Sequence, residues 1–284
     1  MCINSLRILT CFLLQLAPLV VITVSEPPDC SDGDETCAAK PLARSDVSEK
    51  LNVWVGFQSK CPECTAFLNG TLAPVWQMLD VRAVLDLHLN VYGNTREYPI
   101  SEVPDEEIAA HTNFHMSAEA GFKKLHVCHH GPGECAGNLI EACARNYLPN
   151  KQFVDLVLCV AATMQEHLDR GPEEDFKVVA AARGCFESLG FDKKKEVFHC
   201  ARGPEGNQLL TDMGLRQEAM FKRMPAADAP DWDRPGLHGE APQNHGPAVF
   251  INDVYLADNS RLLETICDRS TAELKSCLEA GIQR

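Results

Sequence analysis

Cys61 and Cys64 lie where an apolar segment passes into a segment with helical periodicity. Apolar residues run almost without interruption from Leu51 to Phe57, which predicts a buried strand. From Thr65 to Leu79 apolar residues recur at helical spacing, and Leu85 to Val91 alternates apolar and polar side chains as a half-buried strand does. Strand, helix and strand in this order predict a βαβ unit whose helix opens with the two cysteines.

This position favours redox chemistry at the two thiols. A thiol at a helix N-terminus meets unsatisfied backbone N–H groups, which stabilise the thiolate that disulfide exchange requires. Cys61 is therefore the expected nucleophile, and Cys64 is the resolving cysteine that attacks the mixed disulfide. Pro62 suits the first helical turn, where no amide proton is needed. Glu63 adds a negative charge beside the thiols, which favours a reducing pair over an oxidising one.

The remaining elements of this domain are predicted far downstream. They are a helix over Gly206 to Phe221, a hairpin formed by Pro247 to Ile251 and Val254 to Leu256, and a closing helix over Ser260 to Cys267. Residues 95–200, between the two halves, are dominated by helical patterns such as Phe153 to Leu168 and Phe176 to Leu189. We therefore predict a disulfide-rich α/β chain with a thioredoxin-like fold over residues 51–270, a helical insertion at about 95–200 and a C-terminal tail at 271–284.

Residues 1–25 have the pattern of a secretory signal peptide. Their one charge is Arg7, and an apolar run extends from Ile8 to Val24. An uncleaved membrane anchor is the alternative, but the run is short for a bilayer and contains Pro18. Residues 26–50 are rich in Pro, Asp, Glu and Ser and are predicted to be an acidic disordered extension or propeptide. We expect no membrane association once the signal peptide is cleaved.

The cysteine count indicates structural disulfides. Of 14 cysteines, Cys2 and Cys11 leave with the signal peptide, and the two redox cysteines are set aside, so an even ten remain in an oxidising compartment. Cys30 and Cys37 are expected to pair locally, and the other pairings cannot be read from the sequence. The formal net charge of −14 argues against nucleic acid as a partner.

A second motif lies between residues 128 and 143. Its fixed positions are Cys128, His130, Gly131, Glu134, Cys135, Asn138 and Cys143. This pattern, C-x-H-G-x-x-E-C-x-x-N-x-x-x-x-C, resembles the signature of the gamma-interferon-inducible lysosomal thiol reductase family. The resemblance extends from the CxxC to Cys267 and implies a thioredoxin-like domain with a helical insertion. It also implies that Cys61 and Cys64 reduce disulfide bonds of protein substrates at acidic pH, in endosomes and lysosomes.

Two alternative interpretations concern metals. Two cysteines at CxxC spacing also occur in zinc ribbons, but the sequence has no second CxxC. A zinc site could also use the histidines and cysteines of the second motif, namely His126, Cys128, His129, His130 and Cys135. In an oxidising lumen we favour disulfides, and we predict no metal. His111 and His115 could share a helix face, and we interpret them as surface residues.

Two further sites are predicted. In thioredoxin-like folds the proline that opens the hairpin is cis and faces the CxxC, so by this resemblance Pro247 and Gly246 would bind an extended substrate strand. Asn69 begins the one N-glycosylation sequon in the chain, Asn69-Gly70-Thr71.

The function we predict is thiol–disulfide oxidoreductase, acting as a reductase. Small thiols such as cysteine or glutathione would supply the electrons, and no cofactor is required. A thiol oxidase or isomerase is the alternative enzyme, and a non-catalytic disulfide-stapled binding module is the alternative outside enzymes. The predicted location is the secretory pathway, ending in lysosomes, endosomes or the extracellular space.

Overall fold

The computed structural model describes residues 50–112, 116–168, 177–225 and 246–282. The predicted signal peptide, the pair Cys30 and Cys37, and His115 lie outside these ranges. Within them no helix is long and apolar enough to cross a membrane.

A four-stranded sheet forms the centre, with strand order β2-β1-β5-β6. Strand β1 (Leu51–Phe57) pairs in parallel with β2 (Leu85–Val91) along its whole length, from Leu51 opposite Leu85 to Phe57 opposite Val91. On its other side β1 pairs antiparallel with β5 (Ala248–Ile251). Parallel strands are buried on both faces, which explains why five consecutive residues from Val53 onward are buried in β1.

The connection between β1 and β2 is helical but broken. Helix α1 (Pro62–Phe67) passes into a π turn (Leu68–Leu72), which is followed by α2 (Ala73–Gln77) and α3 (Leu79–Ala83). The predicted single helix over 65–79 is therefore interrupted, and Leu79 is 69% exposed instead of buried. Pro74 lacks the N–H that a regular α-helix would use at that position, which accounts for a break at this point.

The insertion combines a small sheet with helices. Strands β3 (Arg96–Pro99) and β4 (Lys124–Val127) form an antiparallel pair that the sequence analysis did not predict, with α4 (Asp105–His111) between them. The helices that follow are α5 (Pro132–Tyr147), α6 (Asn150–Leu168), α7 (Lys177–Ser188) and α8 (Lys194–Cys200).

The end of the chain returns to the central sheet. Helix α9 (Pro204–Phe221) precedes the hairpin of β5 and β6 (Val254–Tyr255), and α10 (Leu262–Arg269) and α11 (Lys275–Glu279) follow. The hairpin turn places Asn252 and Asp253 at φ 48° and 65°, a conformation that Asn and Asp tolerate better than most residues.

Residues 271–284 were predicted to be a tail, but the described part of this segment is folded. Cys277 of α11 is bonded to Cys267 of α10, and the Ser276 hydroxyl donates to Asp80 of α3 at 2.5 Å. The domain therefore continues past residue 270, because a disulfide and a side-chain hydrogen bond fix the segment to it.

Apart from Cys61 and Cys64, the cysteines of the described residues are joined in pairs by four disulfides. This confirms the prediction of a disulfide-rich chain. The four disulfides are Cys128–Cys135, Cys143–Cys200, Cys159–Cys185 and Cys267–Cys277. Two of them tie the insertion helices together, α5 to α8 and α6 to α7. Such cross-links stabilise a fold mainly by restricting the unfolded chain.

Candidate functional site

Cys61 and Cys64 carry thiols and lie at the start of α1, directly after β1. Cys61 has an extended backbone, φ −70° and ψ 124°, and occupies the cap position of the helix, with Pro62 in the first turn. The N–H of Cys64 donates to the Cys61 sulfur at 3.4 Å. A backbone donor aimed at sulfur favours the thiolate, so the geometry suits Cys61 as a nucleophile.

Like Cys61, Cys64 is buried. Burial raises its pKa well above the usual value, and the hydrogen bond with the Cys61 thiol and the charge of Glu134 raise it further. The backbone of Gln58 acts in the opposite direction. Cys64 therefore keeps its proton while Cys61 reacts, as a resolving cysteine must.

Glu63 contacts the sulfur of Cys61. The Cys61 thiol donates a hydrogen bond to Glu63 Oε2 at 3.3 Å, and the Glu63 side chain is exposed. Glu63 is thus a charged group in direct contact with the expected nucleophile.

The second motif supports the loop that leads into the CxxC. The Ser59 N–H donates to Asn138 Oδ1 at 3.0 Å, and the Ser59 hydroxyl donates to the Glu134 carbonyl at 3.1 Å. At Gly137 an added Cβ would lie 2.3 Å from Ser59 Oγ, so only glycine allows this approach. Gly137 occupies a variable position of the motif, so the sequence pattern does not mark it.

His130 and Glu134 form an ion pair beside this loop. His130 Nδ1 donates to Glu134 Oε2 at 2.6 Å, and the His130 N–H donates to Oε1 at 3.1 Å. Glu134 is completely buried. The hydrogen bond from Glu134 raises the pKa of His130, with burial acting against it. Lys60 Nζ donates to the His130 carbonyl at 3.3 Å, which links the pair to the residue before Cys61.

The cysteines of the second motif are consumed in disulfides. Cys128 and Cys135 are bonded to each other, so neither thiolate is available for the zinc site considered as an alternative. The Asn138 amide donates to Thr95 Oγ1 at 3.5 Å and to the Cys128 sulfur at 3.8 Å. Asn138 therefore connects this disulfide to Ser59, and the motif acts as a scaffold for the CxxC loop.

Gly246 lies next to the CxxC, as expected, but Pro247 is not cis. An added Cβ at Gly246 would lie 3.7 Å from the Cβ of Glu63. The described residues contain no cis peptide bond, so the expectation of a cis bond before Pro247 is wrong. The trans form is the ordinary preference of X–Pro bonds, and here Asn259 Nδ2 donates to the Pro247 carbonyl at 2.7 Å.

Asn69 lies in the π turn, and its side chain faces another helix. Asn69 Nδ2 donates to the carbonyl of Ala161 in α6 at 3.0 Å. A glycan would attach to this same nitrogen, so the contact competes with modification. Glycosylation at Asn69 stays a prediction.

Comparisons with known proteins agree with this site. The family model "Gamma interferon inducible lysosomal thiol reductase (GILT)" matches residues 52–189, which include the CxxC and the second motif. The gamma-interferon-inducible lysosomal thiol reductase of Mus musculus is 24% identical over 267 residues, covering 90% of this chain and 85% of the mouse protein. The protein of that name from Carassius auratus is 25% identical over 226 residues, covering 77% of this chain and 75% of its own length.

A third relative is matched over a shorter span. The gamma-interferon-inducible lysosomal thiol reductase-like protein of Anopheles gambiae is 28% identical over 171 residues. The match covers 58% of this chain and spans 60% of the length of the mosquito protein.

Proposed function

The chain belongs to the gamma-interferon-inducible lysosomal thiol reductase family, a family of disulfide-reducing oxidoreductases, and on this premise we propose that it reduces disulfides of protein substrates through Cys61 and Cys64. The observation that carries the proposal is the pair of thiols at the start of α1, with the Cys64 N–H aimed at the Cys61 sulfur. The other eight cysteines of the described ranges are held in disulfides.

The reaction has two exchange steps. The Cys61 thiolate attacks one sulfur of the substrate disulfide, forming a mixed disulfide and releasing the other sulfur as a thiolate that takes a proton. Cys64 then loses its proton and attacks the Cys61 sulfur, which releases the second substrate thiol and leaves a Cys61–Cys64 disulfide. Two equivalents of an external small thiol, such as cysteine or glutathione, return the enzyme to the dithiol.

We assign the domain to the thioredoxin-like fold on the arrangement of its central sheet. The parallel pair β1 and β2, joined by a helical crossover that opens with the CxxC, and the antiparallel hairpin beside β1 support this assignment. Gly246 at the start of that hairpin lies against Glu63, and this supports a role for Gly246 and Pro247 in holding an extended substrate strand.

The proposed working environment is an acidic endosomal or lysosomal lumen. The family name of the mouse and goldfish relatives supports this location, and an extracellular site is the alternative.

Turnover measured with and without the nucleophile tests the proposal. Purified protein should reduce a quenched-fluorescent protein disulfide at about pH 4.5 and about pH 7 with a small thiol as donor, and Cys61→Ser should abolish the reduction because no thiolate remains to attack. Turnover that survives in Cys61→Ser, or that is absent from the wild type at both pH values, would refute the reductase assignment.

A further inference from the structure

Glu63 is placed to control the reactivity of Cys61. Its Oε2 accepts the thiol hydrogen bond at 3.3 Å, and its side chain is exposed, so it exchanges protons freely with solvent. A carboxylate at this distance stabilises the protonated thiol by hydrogen bonding. It also opposes the thiolate, because two negative charges so close together repel each other.

Protonation of the carboxyl group reverses this effect. A neutral carboxylic acid adds no repulsion, and its O–H can donate a hydrogen bond to the thiolate. The same side chain therefore disfavours the reactive form of Cys61 when it is ionised and favours that form when it is protonated.

Other charged groups face the same place. Lys60 precedes Cys61, and His130 lies close enough to interact with the charges of both Glu63 and Lys60. On the inner side Cys64 interacts with Cys61 and with Glu134. Positive charges on Lys60 and His130 favour both the ionised Glu63 carboxylate and the Cys61 thiolate. The negative charge of Glu134 disfavours both of these ionised forms. The effect of Glu63 on Cys61 differs from these effects because Glu63 contacts the sulfur directly.

We propose that Glu63 is a catalytic residue whose carboxylate restrains the Cys61 thiol at neutral pH, and that this restraint is lost where the carboxyl group is protonated. At neutral pH the carboxylate keeps the proton on Cys61. In acid the protonated carboxyl group donates to the thiolate as it attacks the substrate disulfide, and its proton can pass to the departing substrate thiolate. Cys61 gives its own proton to solvent before the attack, the Glu63 proton ends on the released thiol, and Glu63 then takes a proton from solvent, so the step balances without a further reactant.

This inference rests on the proposed role of Cys61 as nucleophile, and it gives that role a pH dependence. The restraint would limit reduction of disulfides during transit through neutral compartments.

Alkylation kinetics test the inference directly. The rate of Cys61 alkylation by iodoacetamide, located by peptide mass mapping, is measured from about pH 4.5 to about pH 7.5 in Cys64→Ser protein with Glu63 or with Glu63→Gln. At about pH 7.5 the Glu63→Gln protein should be alkylated about tenfold faster than the protein with Glu63, because the charge repulsion is gone. At about pH 4.5 the alkylation rates of the two proteins should agree within about twofold.

A matched variant controls for the change in net charge. Glu106→Gln removes another exposed carboxylate, in the first turn of α4, and should follow the wild-type profile. Equal rates for Glu63→Gln and wild type at neutral pH, slower alkylation of Glu63→Gln, or a ratio that does not change with pH would overturn the inference. Alkylation is measured without turnover. A negative alkylation result would therefore reject the role of Glu63 alone, and a negative reductase assay would reject the proposed function.

Discussion

Glu141 is a carboxyl group held in the protein interior. It is 2% exposed, and within the described part of the chain its Oε2 has no hydrogen-bond partner. Burial, with a smaller contribution from the charge of Glu134, raises the pKa of Glu141 to about 8. In the folded protein this side chain therefore keeps its proton through neutral pH and loses it only near pH 8.

The consequence for stability follows from proton linkage. The folded-state pKa lies above the unfolded value, so between about pH 4.5 and about pH 8 the folded protein holds a proton that the unfolded chain has released. The free energy of unfolding then falls as the pH rises through this window. Glu141 thus makes the protein more stable in acid than at neutral pH.

Replacing Glu141 with glutamine should remove this pH dependence. Glu141→Gln should raise the free energy of unfolding by a few kcal/mol, at most about 4, at about pH 7.5 and leave it nearly unchanged at about pH 4.5. Urea unfolding at both pH values measures the difference, with Glu106→Gln as an exposed control. A variant that shows the same pH dependence as wild type would exclude Glu141 as its source.

At the residue scale, spacing along the chain was enough to single out Cys61 and Cys64. The contacts of Ser59 with Asn138 and Gly137 could not be found in this way, because they join segments 79 and 78 residues apart in the chain. The motif marked Asn138, but its effect depends on a side-chain direction that only the folded structure fixes. The pKa of Glu141 likewise depends on three-dimensional burial.

At the scale of elements, the first turns of α5 support the loop before α1. Asn138 is fully buried, and its side chain satisfies the buried N–H of Ser59. Buried donors without partners are costly, so this contact fixes the loop that leads to Cys61. The position of the nucleophile therefore depends on a helix of the insertion as well as on the central sheet.

Removing the Asn138 amide should weaken both stability and turnover. Asn138→Ala should lower the free energy of unfolding by about 1–3 kcal/mol, because the Ser59 N–H loses its acceptor. Turnover should fall as well, since the CxxC loop is less well held. Urea unfolding and the disulfide assay measure the two effects, and Asn146→Ala, an exposed position of the same helix, is the control. Equal losses in both variants would argue against a specific support of the loop.

Elements with a strong periodic signal were predicted well. The β1 and β2 strands, α6, α7, α9 and the hairpin turn all occur within a few residues of their predicted positions. The small sheet of Arg96–Pro99 and Lys124–Val127 was missed because each strand has four residues, too few to establish alternation. The break at the π turn was missed because apolar spacing continues through it.

At the scale of the whole molecule, a redox-active dithiol is carried by a frame whose other described cysteines are closed in disulfides. The structural disulfides hold the insertion and the C-terminal helices, while the CxxC lies between the central sheet and the insertion. The buried carboxyl group of Glu141 favours the acidic range through stability.

The most direct test of the account is to trap the covalent intermediate. In Cys64→Ser protein the mixed disulfide cannot be resolved, so a disulfide-containing substrate incubated with this variant should remain attached through Cys61. Peptide mass mapping without reduction identifies the bond. One substrate cysteine should be linked to Cys61, and the adduct should be lost in Cys61→Ser. Attachment through a different cysteine, or no adduct at any pH, would contradict it.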